Sequence, residues 1–169
     1  MINIIAAIGK NRELGKDNKL LWHIVEDFKR FKKLTLNSVV IMGRKTFESL
    51  PEKFRPLPNR INIVISRHPE LVSGSRNKFG MTKNLIICHS IEEAINKAKK
   101  FNKEIFIIGG AEIYKQGIKY ADKLYLTLVD KKYPEADAFF PDYSDFKKVI
   151  KKEKKSDGKF TYKFIDLEK

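Results

Sequence analysis

The chain has 169 residues, of which 42% are hydrophobic and 11% aromatic, and a formal net charge of +14. This length predicts a single domain over residues 1–169, and the composition excludes a largely disordered protein. The lone cysteine excludes an intrachain disulfide, and no apolar run approaches the roughly 18 residues that a membrane-spanning helix needs.

Short apolar runs rich in isoleucine and valine alternate with segments of helical period, which is the pattern of an α/β fold. Because these runs are apolar on both faces, they predict a mostly parallel sheet covered by helices on each side. The predicted strands are 2–8, 38–42, 61–65, 85–88 and 105–108. The predicted helices between them are 25–35, 44–50, 91–100 and 111–118.

The last third of the chain changes character. Its apolar stretches are mixed and partly alternating, and Ser156-Asp157-Gly158 predicts a hairpin turn between the last two. The predicted strands here are 123–130, 147–154 and 159–166. We therefore expect an antiparallel edge on the parallel sheet.

Two connections in the chain are long. Residues 9–24 contain Gly9 and Gly15 and show no regular period, so we expect a mobile lid over a site. Residues 66–84 hold one proline and two glycines and look like an exposed excursion. Loops of this length are uncommon unless they are functional or disordered.

The positive charge is mostly lysine and is densest at residues 147–155, which hold six lysines. Nucleic-acid-binding surfaces add aromatic platforms that stack bases and arginines that read base edges, and this cluster has neither. We interpret the cluster as a solvated surface. A basic nucleic-acid-binding module is the alternative from a different class of protein.

Asp27 lies near the start of the predicted helix 25–35, four residues before Phe31 and seven before Leu34. This spacing places its carboxylate on the helix face that buries apolar side chains. One interpretation is an acid that interacts favourably with the helix dipole. The other is an acid in an apolar pocket that binds paired N–H donors of a substrate and whose pKa is raised by desolvation.

Three strands end in residues that suit an anion. One enters a helix through Gly109 and Gly110, another enters a helix through Gly43, and a third ends at Ser66-Arg67. Ligand sites of open α/β sheets form at the carboxyl ends of strands, and helix N-termini attract phosphate groups. Taken alone, the Gly109-Gly110 junction fits a tight strand-to-helix turn equally well. The three ends together indicate an extended anion such as a dinucleotide, although the G-x-G-x-x-G fingerprint is absent from the sequence.

Other candidate residues have two interpretations each. Arg60 is either a surface cation or a residue that binds a substrate carboxylate through two parallel hydrogen bonds. Trp22, the sole tryptophan, is either a core residue or a wall of the site beside the lid. The histidines, His23, His68 and His89, show no pairing suited to nucleophilic catalysis, and no cysteine and histidine cluster has metal-ligand spacing. We expect no metal site.

Motifs in a consistent order run through almost the whole chain: Ile4-Ile5-Ala6-Ala7, Leu20 to Trp22, Asp27, Thr35-Leu36-Asn37, Val40 to Ser49, Arg55 to Arg60, Ile108-Gly109-Gly110 with Tyr114, Leu124 to Thr127, and Asp137 with Phe140-Pro141. Together they resemble dihydrofolate reductase of the bacterial type. The resemblance implies a single-domain α/β fold with an eight-stranded, mostly parallel sheet, an antiparallel C-terminal edge strand and helices on both faces. It implies NADPH-dependent reduction of 7,8-dihydrofolate to 5,6,7,8-tetrahydrofolate, for one-carbon metabolism and nucleotide synthesis.

The resemblance also implies partners and a location. The cofactor is NADPH, and the partners are dihydrofolate and antifolate inhibitors, with neither nucleic acid nor membrane expected. A monomer in the cytoplasm is expected, and residues 1–8 lack the basic segment that opens a secretory signal.

By resemblance, the catalytic positions are Asp27, Trp22, Leu20 and Thr127. Asp27 matches the family's single buried acid, which holds the pterin ring N–H and amino group and promotes protonation at N5; Thr127 supports that acid. The substrate-binding positions are Ile5, Asp27, Phe31, Leu57, Arg60, Ile108, Tyr114 and Thr127. Among them, Arg60 is expected to bind the glutamate carboxylate.

The cofactor-binding positions implied by the resemblance are Ala7, Leu14, Gly15, Asn18, Gly43, Arg44, Lys45, Thr46, Ser66, Arg67, Ile108, Gly109, Gly110, Ala111, Glu112, Ile113, Tyr114 and Gln116. The Gly109-Gly110 bond resembles the family's cis peptide beside the nicotinamide. Arg44 and Arg67 are suited to the 2′-phosphate, and residues 14–22 would form the lid over the nicotinamide.

The sequence departs from the family pattern in several places. Leu21 and Val25 replace prolines, which predicts a more flexible lid or helix entry. Glu112 stands where some members carry a phosphate-binding cation, and Phe28 is bulkier than the leucine often found. Residues 68–84 exceed the usual connection, and we expect disorder there.

Two further readings stay open. The first is a reductase of another heterocycle on the same fold, such as a riboflavin-pathway reductase; Asp27 with Arg60 and Thr127 favours a pterin that carries a glutamate tail. The second is a catalytically inactive relative that is kept for its interactions. Every expected site position is intact, which argues against this reading.

Overall fold

The computed structural model describes residues 1–68 and 84–169. Its strands are β1 (Ile2–Ile8), β2 (Glu13–Lys16), β3 (Lys19–Leu20), β4 (Val39–Gly43), β5 (Ile61–Ile65), β6 (Leu85–Cys88), β7 (Ile105–Gly109), β8 (Lys123–Val129), β9 (Ala138–Phe139), β10 (Lys148–Ser156) and β11 (Thr161–Glu168). Its helices are α1 (Val25–Thr35), α2 (Arg44–Ser49), α3 (Ile91–Lys99) and α4 (Ala111–Gly117), with single 3₁₀ turns at Glu52–Phe54 and Ile118–Tyr120. The predicted helices and the strands of the main sheet are confirmed, with shifts of one or two residues at several ends.

The main sheet has eight strands in the order β10-β11-β8-β1-β7-β4-β5-β6. Neighbours from β8 to β6 pair in parallel, whereas β11 pairs antiparallel with both β8 and β10. The expected antiparallel edge is therefore confirmed as a hairpin. β10 is the edge strand, and β11 lies between β10 and β8.

Both faces of the central strands are buried, which explains their continuous apolar sequences. Residues 39–42 of β4 are fully buried and alternate between two packed layers. Ile41 faces the layer that contains α3 and α4, and Met42 faces the layer that contains Phe47 of α2 and Phe31 of α1. Helices therefore cover both faces of the sheet, as predicted.

The expectation of irregular structure over residues 9–24 is wrong. Strands β2 and β3 form a short hairpin whose turn holds Asp17 and Asn18 at positive φ, and β2 also pairs with β9. Two strands of four and two residues are too short to show an alternating pattern. The partner strand β9 lies more than 120 residues further along the chain, so no local pattern could have indicated it.

The excursion predicted at 66–84, with its expected disorder, falls mostly on residues 69–83, which lie outside the described residues. The lysine-rich cluster at 147–155 lies mainly on β10, where nearly every residue is exposed. Lys151 and Lys155 both pair with Glu153 there. None of the helices in residues 1–68 and 84–169 combines the length and apolar character needed to cross a bilayer.

The packing beneath α2 gives a test of the fold. Phe47 is fully buried between α2 and the sheet, whereas Phe101 is 38% exposed. We expect Phe47→Ala to lower the free energy of unfolding by about 3–5 kcal/mol, because it leaves a cavity in a packed layer. The matched Phe101→Ala control should cost about 0.5 kcal/mol or less, as is usual for surface positions. Equal losses in urea denaturation would contradict this packing.

Candidate active site

The candidate site lies at the carboxyl edge of the parallel strands. Strands β4, β5 and β7 run in the same direction, so the residues that end or follow them, Gly43, Ser66 and Gly109, lie along one edge of the sheet. Ligand sites of open α/β sheets form at this edge. Strand β8, which carries Thr127, pairs in parallel with β1 and continues the row.

Asp27 is held against the sheet by Thr127. The Thr127 Oγ1 hydroxyl donates a hydrogen bond to Asp27 Oδ1 at 2.5 Å, and Thr127 is fully buried at the middle of β8. The carboxylate of Asp27 therefore faces the sheet, in addition to lying in the first turn of α1. This placement favours the second of the two interpretations of Asp27, an acid in a pocket.

Desolvation raises the pKa of the Asp27 carboxyl above its ordinary value, while the hydrogen bond from Thr127 and the positive charge of Arg30 oppose the rise. The direction is the one predicted from the sequence. An acid with a raised pKa that can take up or release a proton is a common feature of active sites.

Apolar side chains from β1, α1 and the segment before β5 form one packed layer on the α1 face of the sheet. Ile5 and Leu57 are buried, and Phe31 is half-buried in the same packed layer. The Tyr114 hydroxyl donates to the Ile5 carbonyl oxygen at 2.8 Å, which ties α4 to β1. Trp22 is 6% exposed and contacts Tyr133 edge-to-face.

Arg60 is a buried cation with an unused donor. It is 6% exposed, and its Nε lacks a hydrogen-bond partner among the described residues. Its guanidinium carbon lies 5.6 Å from the centre of the Phe31 ring, and burial lowers its pKa. A buried donor without a partner is costly, so this side chain is suited to an incoming anion.

Asn62, which the sequence analysis did not single out, fixes the segment that carries Arg60. Its side chain is fully buried, accepts a hydrogen bond from the Leu57 backbone N–H and donates to the Leu57 and Arg60 carbonyl oxygens. An asparagine inside the apolar strand β5 was the one available indication, because a buried amide needs partners.

The junction of β7 and α4 is closely packed around two glycines. The Gly109-Gly110 peptide bond is cis, and Gly109 has a φ of +136°. A Cβ atom on Gly110 would lie 3.1 Å from Thr46 Oγ1, and one on Gly43 would lie 3.1 Å from Ile113 Cγ1. The β4–α2 and β7–α4 junctions thus lie side by side and form a glycine cradle, in which a side chain at Gly110 or Gly43 would press against Thr46 or Ile113.

The predicted cofactor positions fall into three groups by exposure. Those exposed are Asn18, Lys45, Arg67 and Glu112. Those half-buried are Ala7, Leu14, Gly43, Arg44, Thr46, Ile108, Gly110, Ala111 and Gln116. Those buried are Gly15, Ser66, Gly109, Ile113 and Tyr114.

Several of these polar groups already have partners within the chain. Arg44 Nη1 lies 3.0 Å from Glu48 Oε1, and the Ser66 hydroxyl bonds to the backbone of His68. Gln116 Nε2 donates to Glu112 Oε1 at 2.7 Å. A phosphate group at this edge would compete with Glu48 for Arg44.

The predicted lid residues lie on the β2–β3 hairpin. Leu20, at the end of β3, is 66% exposed. Asp137 holds the hairpin: its carboxylate accepts a hydrogen bond from the Asp17 backbone N–H at 2.9 Å, and its N–H donates to the Gly15 carbonyl oxygen at 3.1 Å.

Glu13 is a second residue that the sequence analysis missed. It is 1% exposed at the start of β2, and its carboxylate accepts hydrogen bonds from the backbone N–H groups of Asn11 and Tyr133. Burial opposes ionisation, but these backbone donors lower the pKa of Glu13 overall. A single acid in a glycine-flanked loop shows no pattern that separates it from a surface charge. Within the described residues, no three metal-ligating side chains are grouped so as to hold a metal ion.

A family model described as dihydrofolate reductase matches residues 1–169. The chain is 46% identical over 142 residues to the dihydrofolate reductase of Buchnera aphidicola subsp. Acyrthosiphon pisum, covering 84% of this chain and 80% of that protein. It is 38% identical to the dihydrofolate reductase of Bacillus subtilis, covering 100% and 95%, and 42% identical to that of Neisseria meningitidis serogroup A, covering 97% and 95%.

The fold and these matches define an NADPH-dependent oxidoreductase. The chain belongs to the dihydrofolate reductase family, and the resemblance that its motifs indicate is confirmed. A basic nucleic-acid-binding module is not favoured.

The raised pKa of Asp27 has a consequence for stability. Because the folded state binds this proton more tightly than the unfolded chain, the contribution of Asp27 to stability is fully present below its unfolded pKa and is lost as pH rises through its higher folded pKa. We therefore expect Asp27→Asn to raise the urea midpoint at pH 7 and to lose this advantage near pH 3.

Asp157 provides the contrast for this measurement. Backbone N–H donors from Phe160 and Lys159 lower its pKa, so Asp157→Asn should lower the urea midpoint at pH 7. If both variants shift the midpoint in the same direction, Asp27 does not carry the desolvation cost described here.

Proposed function

We propose that the chain reduces dihydrofolate in a pocket between α1 and the carboxyl edge of the sheet, with Asp27 as the proton-handling acid. The observation that carries the proposal is the hydrogen bond of Thr127 to a carboxyl group that is shielded from water. A carboxylate placed in this way can accept two parallel N–H bonds from an amino-substituted heterocycle, which fixes the ring in the pocket.

When bound, NADPH supplies a hydride, and conversion of the 5,6 double bond of the pterin also requires one proton. Asp27 would hold the pterin ring N–H and amino group and favour delivery of that proton to N5. Ile5, Phe31 and Leu57 would exclude water from the ring, and Trp22 would close the pocket on the lid side. Alignment of two rings and removal of water are contributions that a protein makes to such a reaction.

The cofactor would lie along the Gly109-Gly110 and Gly43 cradle. The glycines support this placement because their lack of side chains lets the two strand–helix junctions meet closely at the sheet edge, where backbone N–H groups of helix N-termini favour phosphate. Arg44, Lys45, Thr46, Ser66 and Arg67 follow the ends of β4 and β5 and would hold the phosphate groups. Ala7 and Ile108 would contact the nicotinamide.

Arg60 would bind the glutamate carboxylate of the substrate. Its buried Nε, which has no hydrogen-bond partner within residues 1–68 and 84–169, supports this role beside Phe31 and favours a pterin with a glutamate tail over another heterocycle. We further propose that the protein acts as a single-domain monomer in the cytoplasm and binds antifolates in the same pocket, with no nucleic-acid partner. Light scattering with a gel-shift assay across salt concentrations tests the monomer and the absence of nucleic acid.

The reaction itself is tested by following NADPH absorbance with dihydrofolate. We expect consumption that needs both compounds, and a rate that falls as pH rises through the pKa of Asp27, because the reaction takes up a proton. Asp27→Asn should lower kcat at pH 7 by about 10²–10⁴-fold, the usual contribution of a positioned acid. A folded protein that binds NADPH but consumes none would exclude dihydrofolate as the substrate.

The role of Arg60 is tested with two substrates. Arg60→Met should raise KM for dihydrofolate about 10- to 100-fold, since a charge-assisted bond to a carboxylate is lost, and it should leave KM for a dihydropterin without the glutamate tail unchanged. Arg55→Met is the control, because Arg55 Nη1 bonds the Glu48 carbonyl oxygen. Equal effects of Arg60→Met on the two substrates would argue against the tail contact.

A further inference from the structure

Arg30 lies one helical turn after Asp27 on α1 and is anchored in three ways. Its Nη2 donates to Asp166 Oδ1 on β11, and both side chains are 14% exposed. Its guanidinium carbon lies 4.7 Å from the centre of the Phe164 ring and 5.7 Å from that of Tyr125. Ring faces attract a cation, so the pair with Asp166 and the two rings fix the position of the charge.

Arg30 packs against the same pair of strands that holds Asp27. Phe164 is the register partner of Thr127, so the guanidinium packs on the strand pair that also carries the hydroxyl bonded to Asp27. The second terminal nitrogen of Arg30, Nη1, is buried and has no hydrogen-bond partner among the described residues. In a partly buried location a fixed charge is screened less than at the surface, so Asp27 experiences it.

Among residues 1–68 and 84–169, Arg30 is the cation whose charge shifts the pKa of Asp27. Thr127 from β8, Tyr114 from α4 and Tyr162 from β11 also face Asp27, and each is uncharged at neutral pH. The positive charge of Arg30 opposes the rise in the pKa of Asp27 that burial causes.

Two lysines lie near the rings that hold Arg30. Lys155 lies over Phe164 and pairs with Glu153, and Lys123 lies over Tyr125 and pairs with Glu168. Each of these lysines pairs with a carboxylate other than Asp27, and neither is among the groups that shift the pKa of Asp27.

We propose that Arg30 is a positioning residue for the reaction: held by Asp166, Phe164 and Tyr125, it sets the charge that Asp27 experiences and thereby the pH range in which the enzyme works. Because Arg30 forms an ion pair with Asp166, its positive charge is shared between the carboxylates of Asp166 and Asp27. Arg30 acts through Asp27 and need not touch the substrate. This inference rests on the proposed role of Asp27.

Substitutions of Arg30 and of Asp166 should shift the titration of Asp27 in opposite directions. Arg30→Met removes the cation, so the Asp27 carboxylate becomes less favourable and its titration moves to higher pH. Asp166→Asn leaves the cation uncompensated, so the titration of Asp27 moves to lower pH. An adjacent arginine lowers the pKa of an aspartate by about 1–3 units; because Arg30 is shared with Asp166, we expect shifts of about one unit or less.

The experiment measures the titration of Asp27 in two ways. The carboxyl ¹³C resonance of Asp27, assigned by its loss in Asp27→Asn, is followed against pH in the enzyme without ligands. The rate of NADPH oxidation with dihydrofolate is followed against pH in parallel. Arg30→Lys, which keeps the charge, should restore most of the wild-type titration, and the double variant Arg30→Met with Asp166→Asn should lie between the single variants.

Lys123→Met is the matched control, because Lys123 is a similarly shielded cation on the Tyr125 ring and forms its own ion pair. It should leave both titrations unchanged. A purely structural role of Arg30 predicts lower thermal stability in both single variants with no displacement of the Asp27 titration, and that result would overturn the proposal, as would shifts of the same sign. If Arg30→Met does not fold, the sign of the shift in Asp166→Asn decides.

The ¹³C titration separates this proposal from the proposed function. A wild-type enzyme that does not consume NADPH with dihydrofolate would refute the proposed function, while the ¹³C shifts would still show whether Arg30 controls the charge on Asp27. Conversely, normal turnover with an Asp27 titration that ignores Arg30 and Asp166 would refute only the role of Arg30.

Discussion

A carboxyl group that is kept from water and bonded to a buried threonine is the interaction on which the site depends. The fold destabilises the charged form of Asp27 by burying it, and the Thr127 hydroxyl and the Arg30 guanidinium recover part of that cost. A group balanced in this way can change protonation where an ordinary surface aspartate stays ionised. The pKa of Asp27 therefore depends on three elements together: α1, β8 and β11.

The sheet makes this balance possible because its central strands are covered on both faces. Helices α1 and α2 lie on one face and α3 and α4 on the other, so the carboxyl edge is the part of the sheet where backbone ends and side chains remain available. Glycines at 43, 109 and 110 let two strand–helix junctions approach each other at that edge. The apolar layers support the site, and the ends of the strands supply its chemistry.

Much of this arrangement could be predicted from the chain in sequence order. The continuous apolar strands, their helices and the spacing of Asp27, Phe31 and Leu34 are local patterns, and local patterns report which face of an element is buried. The hairpin at β2 and β3 was missed because its strands are short and its partner β9 is distant in sequence. The ion pair of Arg30 with Asp166 was not predicted for the same reason. The two residues are 136 positions apart, and in the sequence each resembles an ordinary surface charge. The resemblance to a known family supplied roles for residues whose local sequence was ambiguous, such as Arg60 and Trp22.

The lysine-rich strand β10 has a consequence beyond its surface charge. An outer strand of a sheet offers unpaired backbone N–H and C=O groups to other chains, and natural sheets block such pairing with charges, bulges or short strands. Here β10 carries rows of lysine and an irregularity between Val149 and Lys151, and the opposite outer strand, β6, has only four residues. Two copies that approached strand to strand along β10 would bring like charges together. The lysines of β10 therefore oppose intermolecular β-pairing along this edge.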